Sequence, residues 1–419
     1  MKNFLPTTYY ILPTRRDGQS LIEILVALAV GTILIIAAIS VIAPALRANS
    51  QADKVQVASA LGKELLENVR VFSEANWYNI SSLATSSANK YFLVSASSPF
   101  IAATGTEGIL ADGIASGTVG YWKLDESAGT TAYDFSGNNS TGTWNGTGNH
   151  SASGMVGGAG QFNGTNDYIQ TPSSSTFSFG TGDFSFSIWI KPNSFSGYNH
   201  MFAYDGTQSN GALKVNITDG IIYYYSLSFS TYGTITQSLQ LSAWNHVVFV
   251  RRANVAELYW NGALVGTKSG FNDNFAGTHF MRFGNGWTGE YTNGLMDDIR
   301  FYNRALSATE VKTINNAAIY TRYFYLDAVG RDVSDALLSS GGTNDPSTKK
   351  LSVVYGWLNG PTSTFSMYLT RFRNNVFDQT DWSGGSGQEG PATTTNSSFS
   401  TSTKIYHSTT TGSIIINFQ

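Results

Sequence analysis

The stretch that decides the architecture is Gly18-Gln19-Ser20-Leu21-Ile22-Glu23, which is followed by an apolar run from Ile24 to Ala43. As a helix, that run would be about 30 Å long, which matches the hydrocarbon thickness of a bilayer. Its hydroxyl residues, Thr32 and Ser40, can bond back to helix carbonyls. Glu23 stands at the start of the run, where an ionised carboxylate is costly unless it has a partner. The position of Glu23 therefore indicates that this carboxylate has a functional role.

With Arg15, Arg16 and Asp17 before it, this stretch resembles the class III signal of type IV prepilins. The resemblance implies that prepilin peptidase cleaves between Gly18 and Gln19 and that the new N-terminus is methylated. Glu23 would then be the fifth mature residue, where the family keeps a glutamate that pairs with the N-terminal amine of a neighbouring subunit. Gln19 departs from the usual phenylalanine, at a position that varies in minor pilins. The alternative is an uncleaved signal anchor.

The segment Met1–Gly18 is accordingly interpreted as a leader that is removed. Lys2, Arg15 and Arg16 precede the apolar run, so the N-terminus should stay in the cytoplasm while the rest of the chain crosses. The expected location is an inner-membrane precursor that later joins a cell-surface filament. Pro44 follows the run and is predicted to kink or interrupt the helix, because it lacks a backbone donor.

A second helical signal lies after Pro44. Apolar residues recur there at spacings of three and four, with charged residues between them: Ala58, Leu61, Leu65, Val69 and Phe72. This spacing predicts one apolar stripe on an amphipathic helix. In the pilin interpretation, the stripe packs beneath a β-sheet head, although a surface helix of any other protein would show the same stripe.

The composition favours exported β-rich domains over a cytosolic enzyme. Charged residues make up only 13% of the 419 residues, and aromatic residues also make up 13%. The formal net charge of -3 gives no indication of nucleic-acid binding. The sequence contains no cysteine, which excludes disulfides, thiolate catalysis and thiolate metal sites.

From Gly120 onward, short aromatic and β-branched runs alternate with turn residues. The run Phe184–Ile190 alternates with period two, as a strand with one buried face should. Asn261-Gly262 is a strong hairpin signal, because both central residues of a type I′ turn need a positive φ. Further strands are predicted at Ala212–Thr218, Ile221–Phe229, Trp244–Arg252, Glu257–Trp260 and Gly294–Tyr302. Together they indicate a β-sandwich, and Ser307 to Glu310 is a capping box that begins a short closing helix.

Five separated motifs in this region resemble the laminin-G-like, concanavalin-type jelly roll, from about Val119 to Asn316. They are Gly120–Glu126, Tyr133–Asn138, Gln161–Tyr168, Phe186–Pro192 and Asp297–Ser307. The resemblance implies a two-sheet sandwich that serves as a binding module for carbohydrate or protein. It also implies that a calcium ion often lies near a sheet edge.

The flanking segments supply the rest of the predicted pilin head. Tyr91–Val94 is expected to be a first strand, and Tyr320–Asp327 and Lys350–Trp357 two long strands separated by a turn at Asn344–Ser347. A final edge strand is expected within Gly412–Phe418. The fold class is therefore α+β: a long N-terminal helix with an antiparallel β-sheet head, and an all-β jelly roll inserted in that head.

The expected segments are a leader at 1–18, the transmembrane and assembly helix at 19–75, and the first part of the head at 76–117. The jelly roll follows at 118–317 and the second part of the head at 318–419. Insertion at a surface loop is thermodynamically tolerable when the two ends lie close together.

The sequence predicts no enzyme. The histidines are scattered, and neither a nucleotide-binding loop nor a G-x-S-x-G elbow occurs. The doublets Asp125-Glu126 and Asp297-Asp298 do not supply a facing pair for glycoside hydrolysis, because adjacent strand residues point to opposite faces.

Two kinds of binding site are predicted instead. A calcium site would use Asp134 and Asn138 from an oxygen-rich turn, together with Asp297 or Asp298; the alternative is a hydrogen-bonded Asx turn without metal. A glycan-stacking surface would use Trp287 in a glycine-flanked loop, with Tyr291 and Tyr198. The alternative is that these aromatic residues belong to the core or favour strands.

These observations together predict a minor type IV pilin-like filament subunit that displays a laminin-G-like adhesin domain. Its partners would be other pilin subunits, prepilin peptidase, the inner membrane before assembly, and a glycan or protein ligand. Two alternatives stay open: a type II secretion pseudopilin and a membrane-tethered carbohydrate-active protein.

Overall fold

The computed structural model describes residues 21–94, 99–147, 149–151, 153–195, 199–204, 213–218, 221–226, 233–287, 290–338, 341–371, 405–407 and 414–416. The chain divides into two compact units, Met1–Val57 and Ala58–Gln419. The predicted processing residues Gly18 and Gln19 lie outside the described residues.

Three α-helices occur in the described residues: α1 (Leu21–Ala75), α2 (Tyr78–Ser81) and α3 (Ala308–Asn316). The first strands are β1 (Tyr91–Val94), β2 (Ile101–Thr104) and β3 (Glu107–Ala111). The middle of the chain forms β4 (Thr118–Trp122), β5 (Thr131–Ala132), β6 (Gly142–Asn145), β7 (Asn149–Ser151), β8 (Ala159–Asn163), β9 (Tyr168–Gln170), β10 (Phe184–Pro192), β11 (Asn199–Tyr204), β12 (Leu213–Thr218), β13 (Ile221–Ser226) and β14 (Gly233–Ser238). It continues with β15 (Asn245–Arg252), β16 (Val255–Trp260), β17 (Ala263–Ser269), β18 (Met281–Phe283), β19 (Asn285–Trp287), β20 (Glu290–Tyr291) and β21 (Asn293–Tyr302). The last strands are β22 (Ala318–Arg331), β23 (Leu337–Leu338), β24 (Thr343–Trp357), β25 (Thr362–Thr370), β26 (Ile405–His407) and β27 (Ile414–Ile416).

The first part of α1, in the unit Met1–Val57, exposes its apolar side chains along its length. Among the described residues, α1 is the one helix that is long and apolar enough to cross a membrane. The hydroxyls of Thr32 and Ser40 donate to the carbonyls of Ala29 and Ala37 at 2.8 Å, as expected for hydroxyls in apolar surroundings. The helix continues through Pro44. The predicted interruption is therefore wrong, whereas a kink at Pro44 stays a prediction.

The head consists of the second part of α1 and one antiparallel sheet in the order β2-β1-β22-β24-β25, with β3 and β23 also paired to β22. Strands β1 to β3 and strands β22 to β25 thus share one sheet, although the strands of the sandwich lie between them in the sequence. The predicted stripe on α1 packs against this sheet. Its core contains Leu65, Val69, Phe72, Ile80, Tyr91, Leu93, Phe324, Leu326, Leu351, Val353 and Leu369.

The sequence between β3 and β22 folds into a two-sheet sandwich. One sheet has the order β17-β16-β15-β10-β21-β8-β7 with β4 paired to β21, and the other has the order β14-β13-β12-β11-β18-β9-β6-β5. Asn261 and Gly262 have φ values of 48° and 81°, as the predicted type I′ turn requires. The predicted capping box is also present, because Ser307 Oγ accepts from the backbone N–H of Glu310 and Glu310 accepts from that of Ser307. The predicted fold class is confirmed; the domain boundaries stay a prediction.

One local prediction is wrong. Asn344–Ser347 does not form a turn but lies within β24, opposite the end of β22. The Asp345 carboxylate accepts from Arg331 Nε at 2.7 Å and from the Ser347 backbone N–H at 2.9 Å, next to a register shift between Ala328 and Val329. Asn344 and Asp345 pair with Gly330 and Val329 of β22, which outweighs their local turn preference, whereas Pro346 and Ser347 lie in the register shift.

The head and the sandwich share apolar clusters within the unit Ala58–Gln419. Leu110 and Ile319 of the head lie in one cluster with Val248, Val250 and Tyr302 of the sandwich. A second cluster joins head strands β1 and β2 to the sandwich loop at Tyr133 and Phe135.

Buried ion pairs connect the same parts. Glu107 on β3 is 2% exposed and lies 2.5 Å from Lys123 Nζ and 2.7 Å from Arg322 Nε. Arg322 also donates to the Leu61 carbonyl of α1 at 2.8 Å. The residues Glu107, Lys123 and Arg322 are called the junction triad below, because they tie the helix, the head sheet and the sandwich together.

Candidate ligand-binding face

The carboxylate of Asp134 is used by its own turn. One oxygen accepts from the backbone N–H groups of Tyr121 and Ser136 at 3.0 and 2.8 Å. The other accepts from the Ser140 backbone N–H and the Ser136 hydroxyl, both at 2.9 Å. The Asn138 amide donates to the carbonyl of Val119 at 3.3 Å. The hydrogen bond from the Ser136 backbone N–H to Asp134 closes an Asx turn.

Asp297 and Asp298 are buried and have protein partners. Asp297 Oδ2 accepts from the Val156 backbone N–H at 2.8 Å, and Asp298 Oδ1 accepts from the Tyr121 hydroxyl at 2.6 Å. Arg300 Nη2 lies 3.1 Å from Asp298 Oδ2. Burial raises the pKa of Asp297 well above its ordinary value, with further contributions from the charges of Asp125 and Asp298.

No group of three or more histidine, aspartate or glutamate side chains suited to a metal ion occurs in the described part of the chain. Calcium binding by Asp134, Asn138, Asp297 and Asp298 stays a prediction.

The predicted aromatic surface is described in part. Tyr198 lies outside the described residues, and the same holds for the side chain of Trp287, although its backbone is in β19. Tyr291 on β20 is half-buried, and its ring centroid lies 6.5 Å from that of Tyr168 on β9. Tyr291 is therefore beside another aromatic ring on the sandwich.

Around this pair, the structure brings together residues that no motif in the sequence indicates. Arg282 on β18 is the cross-strand partner of Gln170 on β9, so their side chains share a face of the sheet. Arg282 Nε and Nη2 donate to Gln170 Oε1 at 3.2 and 2.6 Å, and Nη1 donates to Asn285 Oδ1 at 3.1 Å. The guanidinium lies 4.6 Å from the Tyr168 ring centroid and 5.5 Å from that of Phe280. The half-buried residues Tyr168, Gln170, Phe280, Arg282 and Tyr291 are called the Arg282 face.

The sequence signal for this face is a short period-two alternation. In Tyr168-Ile169-Gln170, the central residue is fully buried and its neighbours are not, and Arg282 stands between the buried Met281 and Phe283. Both runs are only three residues long, which is too short to indicate a strand on its own.

The hairpin β19–β20 holds Tyr291 beside Tyr168. Gly286 lies against the ring of His200, and a Cβ added there would be 2.3 Å from His200 Nδ1. His200 Nε2 is 2.6 Å from Glu290 Oε2, and the Asn285 side-chain amide donates to the Glu290 carbonyl at 2.9 Å. Neighbouring strands therefore fix the hairpin that carries Tyr291.

The Arg282 face offers aromatic rings, amide groups and one guanidinium, which can stack on a ligand and form hydrogen bonds with it.

A serine–histidine contact elsewhere in the sandwich is inaccessible to a ligand. Ser187 Oγ lies 2.9 Å from His246 Nε2, but both residues are fully buried, and burial lowers the pKa of His246 to about 3.

Comparison with known proteins identifies two parts of the chain. Residues 13–39 match the family model of the prokaryotic N-terminal methylation motif, and residues 163–312 match that of the concanavalin A-like lectin/glucanases superfamily. No curated protein shows a significant match to this sequence.

Solved structures of low sequence identity resemble part of this chain. Domain 4 of an extracellular GH43 arabinanase from Geobacillus stearothermophilus, solved with arabinotriose, is 22% identical with a TM-score of 0.41, over 48% of this chain and 99% of that domain. The binding domain of Paraclostridial Mosquitocidal Protein 1 is 14% identical with a TM-score of 0.40, over 59% of this chain and 75% of that one. Trypanosoma rangeli sialidase is 17% identical with a TM-score of 0.35, over 48% of this chain and 32% of that one.

The chain therefore combines a prepilin-type N-terminal methylation motif with a concanavalin A-like jelly-roll domain.

Proposed function

We propose that this protein is a minor type IV pilin-like filament subunit that displays its jelly roll as an adhesin for glycan or protein. The observation that carries the proposal is one chain with a methylation motif, an exposed apolar helix of membrane-spanning length and a concanavalin A-like domain. The motif fits a membrane-anchored precursor. Display of the domain on a surface filament is the further step that we propose.

The helix supports assembly with other pilin subunits. The large apolar side chains between Leu21 and Ile42 are at least 46% exposed. Either lipid or neighbouring helices must cover them. Glu23 would pair with the N-terminal amine of a neighbouring subunit after cleavage before Gln19. Such a pair satisfies two charges that are otherwise costly in apolar surroundings, and it also fixes the axial register.

We propose binding rather than catalysis for the sandwich. The Arg282 face is partly accessible and combines ring faces with polar groups, as a carbohydrate-binding surface requires. The contact between Ser187 and His246 has no access to substrate, because both residues are fully buried. Carboxylates such as Asp297 are buried as well.

Processing is tested by expressing the chain in a bacterium with a prepilin peptidase and measuring the intact mass of the mature protein. We expect a methylated N-terminus at Gln19. Glu23→Ala should still be processed but should not enter filaments. A product that retains residues ahead of Gln19, or unchanged filaments formed by Glu23→Ala, would contradict the proposal.

Ligand binding is tested by glycan and protein arrays with the mature chain and with Tyr291→Ala. Tyr368→Ala is the matched control, because Tyr368 is 44% exposed on head strand β25, outside the Arg282 face. We expect ligand binding that Tyr291→Ala weakens and Tyr368→Ala leaves intact. Absence of any glycan or protein ligand would refute the adhesin function.

A further inference from the structure

The charge of Arg282 is compensated differently from that of most described arginines; Arg251 resembles it, because Arg251 donates to the backbone carbonyls of Gly180 and Asp273. Six described arginines pair with a carboxylate within 4.0 Å: Arg70, Arg252, Arg300, Arg304, Arg322 and Arg331. The acceptors of Arg282 are instead the neutral amides of Gln170 and Asn285. No carboxylate of a described residue forms an ion pair with Arg282. The two amides therefore fix the guanidinium, but no described carboxylate neutralises its charge through an ion pair.

The amides also leave part of the guanidinium for a ligand. A guanidinium has five N–H donors, and Gln170 and Asn285 accept three hydrogen bonds from this one. One N–H remains on each of Nη1 and Nη2. Two donors on one guanidinium are what a carboxylate takes in a bidentate contact, which is stronger than a contact between neutral groups.

Ring faces complete the site. Tyr168 and Phe280 lie against the Arg282 guanidinium, and Tyr291 lies next to Tyr168. Flanking rings limit the water around a cation and so strengthen its interaction with an anion. Tyr291 adds a second half-buried ring beside Tyr168, on which a sugar can stack.

We infer that the Arg282 face selects acidic glycans, with Arg282 binding the anionic group of a uronic or sialic acid residue. This inference rests on the proposed adhesin function and specifies its ligand class. A sulfate group offers the same charge and acceptors, so the experiment includes both acids. Arg282 is accordingly the specificity-determining residue, and Tyr291 contributes to binding of both neutral and acidic sugars.

The test uses the mature full-length chain and glycans in matched pairs, each with one neutral member: lactose and sialyllactose, tetragalacturonate methyl ester and tetragalacturonate, and lactose and sulfated lactose. We expect at least one carboxylated member to bind about tenfold or more tightly than its neutral counterpart, the size of effect that a charge-assisted contact gives. Arg282→Gln should abolish this ratio. Lys268→Gln, which removes a positive charge from an exposed residue on β17, should preserve it.

Each outcome decides a separate question. Equal binding of both members of every pair, or a ratio that survives Arg282→Gln, overturns the inference while the adhesin function stands. Selection of the sulfated member alone overturns the assignment to carboxylated sugars. No binding of any glycan or protein refutes the proposed function itself.

If Arg282→Gln does not fold, two further measurements decide. Arg282→Lys retains the charge but not the bidentate geometry, so the acidic preference should fall without loss of the thermal transition. In the unmodified protein, raising the salt from about 0.1 to about 1 M should weaken binding of the acidic member only. A preference that is independent of salt overturns the inference.

Discussion

Replacing Glu107 by glutamine should strongly destabilise the head and the sandwich together. Glu107 is 2% exposed and is the shared partner in the junction triad, 2.5 Å from Lys123 Nζ and 2.7 Å from Arg322 Nε. Glutamine keeps the size of the side chain but removes its negative charge. Two buried cations would then face a neutral group, and Arg322 would keep only the Leu61 carbonyl and the exposed Glu64 carboxylate, 3.5 Å away, as partners.

The expected loss is about 3 to 5 kcal/mol of unfolding free energy, the range found when one partner of a buried ion pair is removed. Much of this loss reflects the uncompensated charges rather than the net contribution of the triad. The triple change of Glu107, Lys123 and Arg322 to Gln, Met and Met should therefore be less harmful than Glu107→Gln alone.

Urea unfolding of the mature protein in detergent, followed by tryptophan fluorescence, measures this effect. Glu74→Gln is the matched control, because Glu74 pairs with Arg70 at 3.0 Å on the surface of α1. An exposed pair contributes at most about 1 kcal/mol. If Glu107→Gln costs no more than Glu74→Gln, the triad does not stabilise the junction and the reasoning fails.

The pH dependence gives an independent test of the same residue. Burial alone would raise the pKa of Glu107, but the charges of Lys123 and Arg322 outweigh burial and lower it below its ordinary value. A lowered pKa means that the stabilisation is present above the pKa of the unfolded state, about 4.3, and is lost as the pH falls through the lower folded value. Glu107→Gln should therefore remove a part of the acid sensitivity of the protein.

Two further predictions concern the same unit. Glu126 is 3% exposed, and burial raises its pKa from 4.5 to about 7. Its ionisation should therefore destabilise the protein as the pH rises from about 4.5 to above 7, and Glu126→Gln should remove about 3 kcal/mol of that loss. The measurement is the difference in urea stability between pH 4.5 and pH 8.5, and an unchanged pH dependence would contradict the prediction. Gly62→Ala should destabilise the head by about 1 to 3 kcal/mol in the same urea assay, because the new Cβ would lie 2.4 Å from the Tyr355 ring. This loss should exceed the gain from the higher helix propensity of alanine. A stability equal to or above that of the unmodified protein would show that this ring moves freely.

Much of the local structure could be predicted because short-range periodicity carries it. The apolar run before Pro44 and the stripe that includes Leu65 and Val69 predicted α1, and the capping box predicted the start of α3. Asn261-Gly262 predicted its turn, because few residues accept the positive φ that the turn requires. Where long-range pairing opposes a local preference, as at Asn344 and Asp345 in β24, the sequence was misleading.

The sequence by itself determined the methylation motif, an apolar helix long enough to span a membrane with Glu23 at its start, and the alternation of strands in the head and the sandwich. Only the tertiary structure decided which polar groups meet. Arg322 reaches Glu107 across 215 positions, and Arg282 reaches Gln170 across 112. Helix and strand patterns depend on neighbours within a few residues, whereas the partner of a buried or half-buried charge depends on sheet register and packing between distant segments.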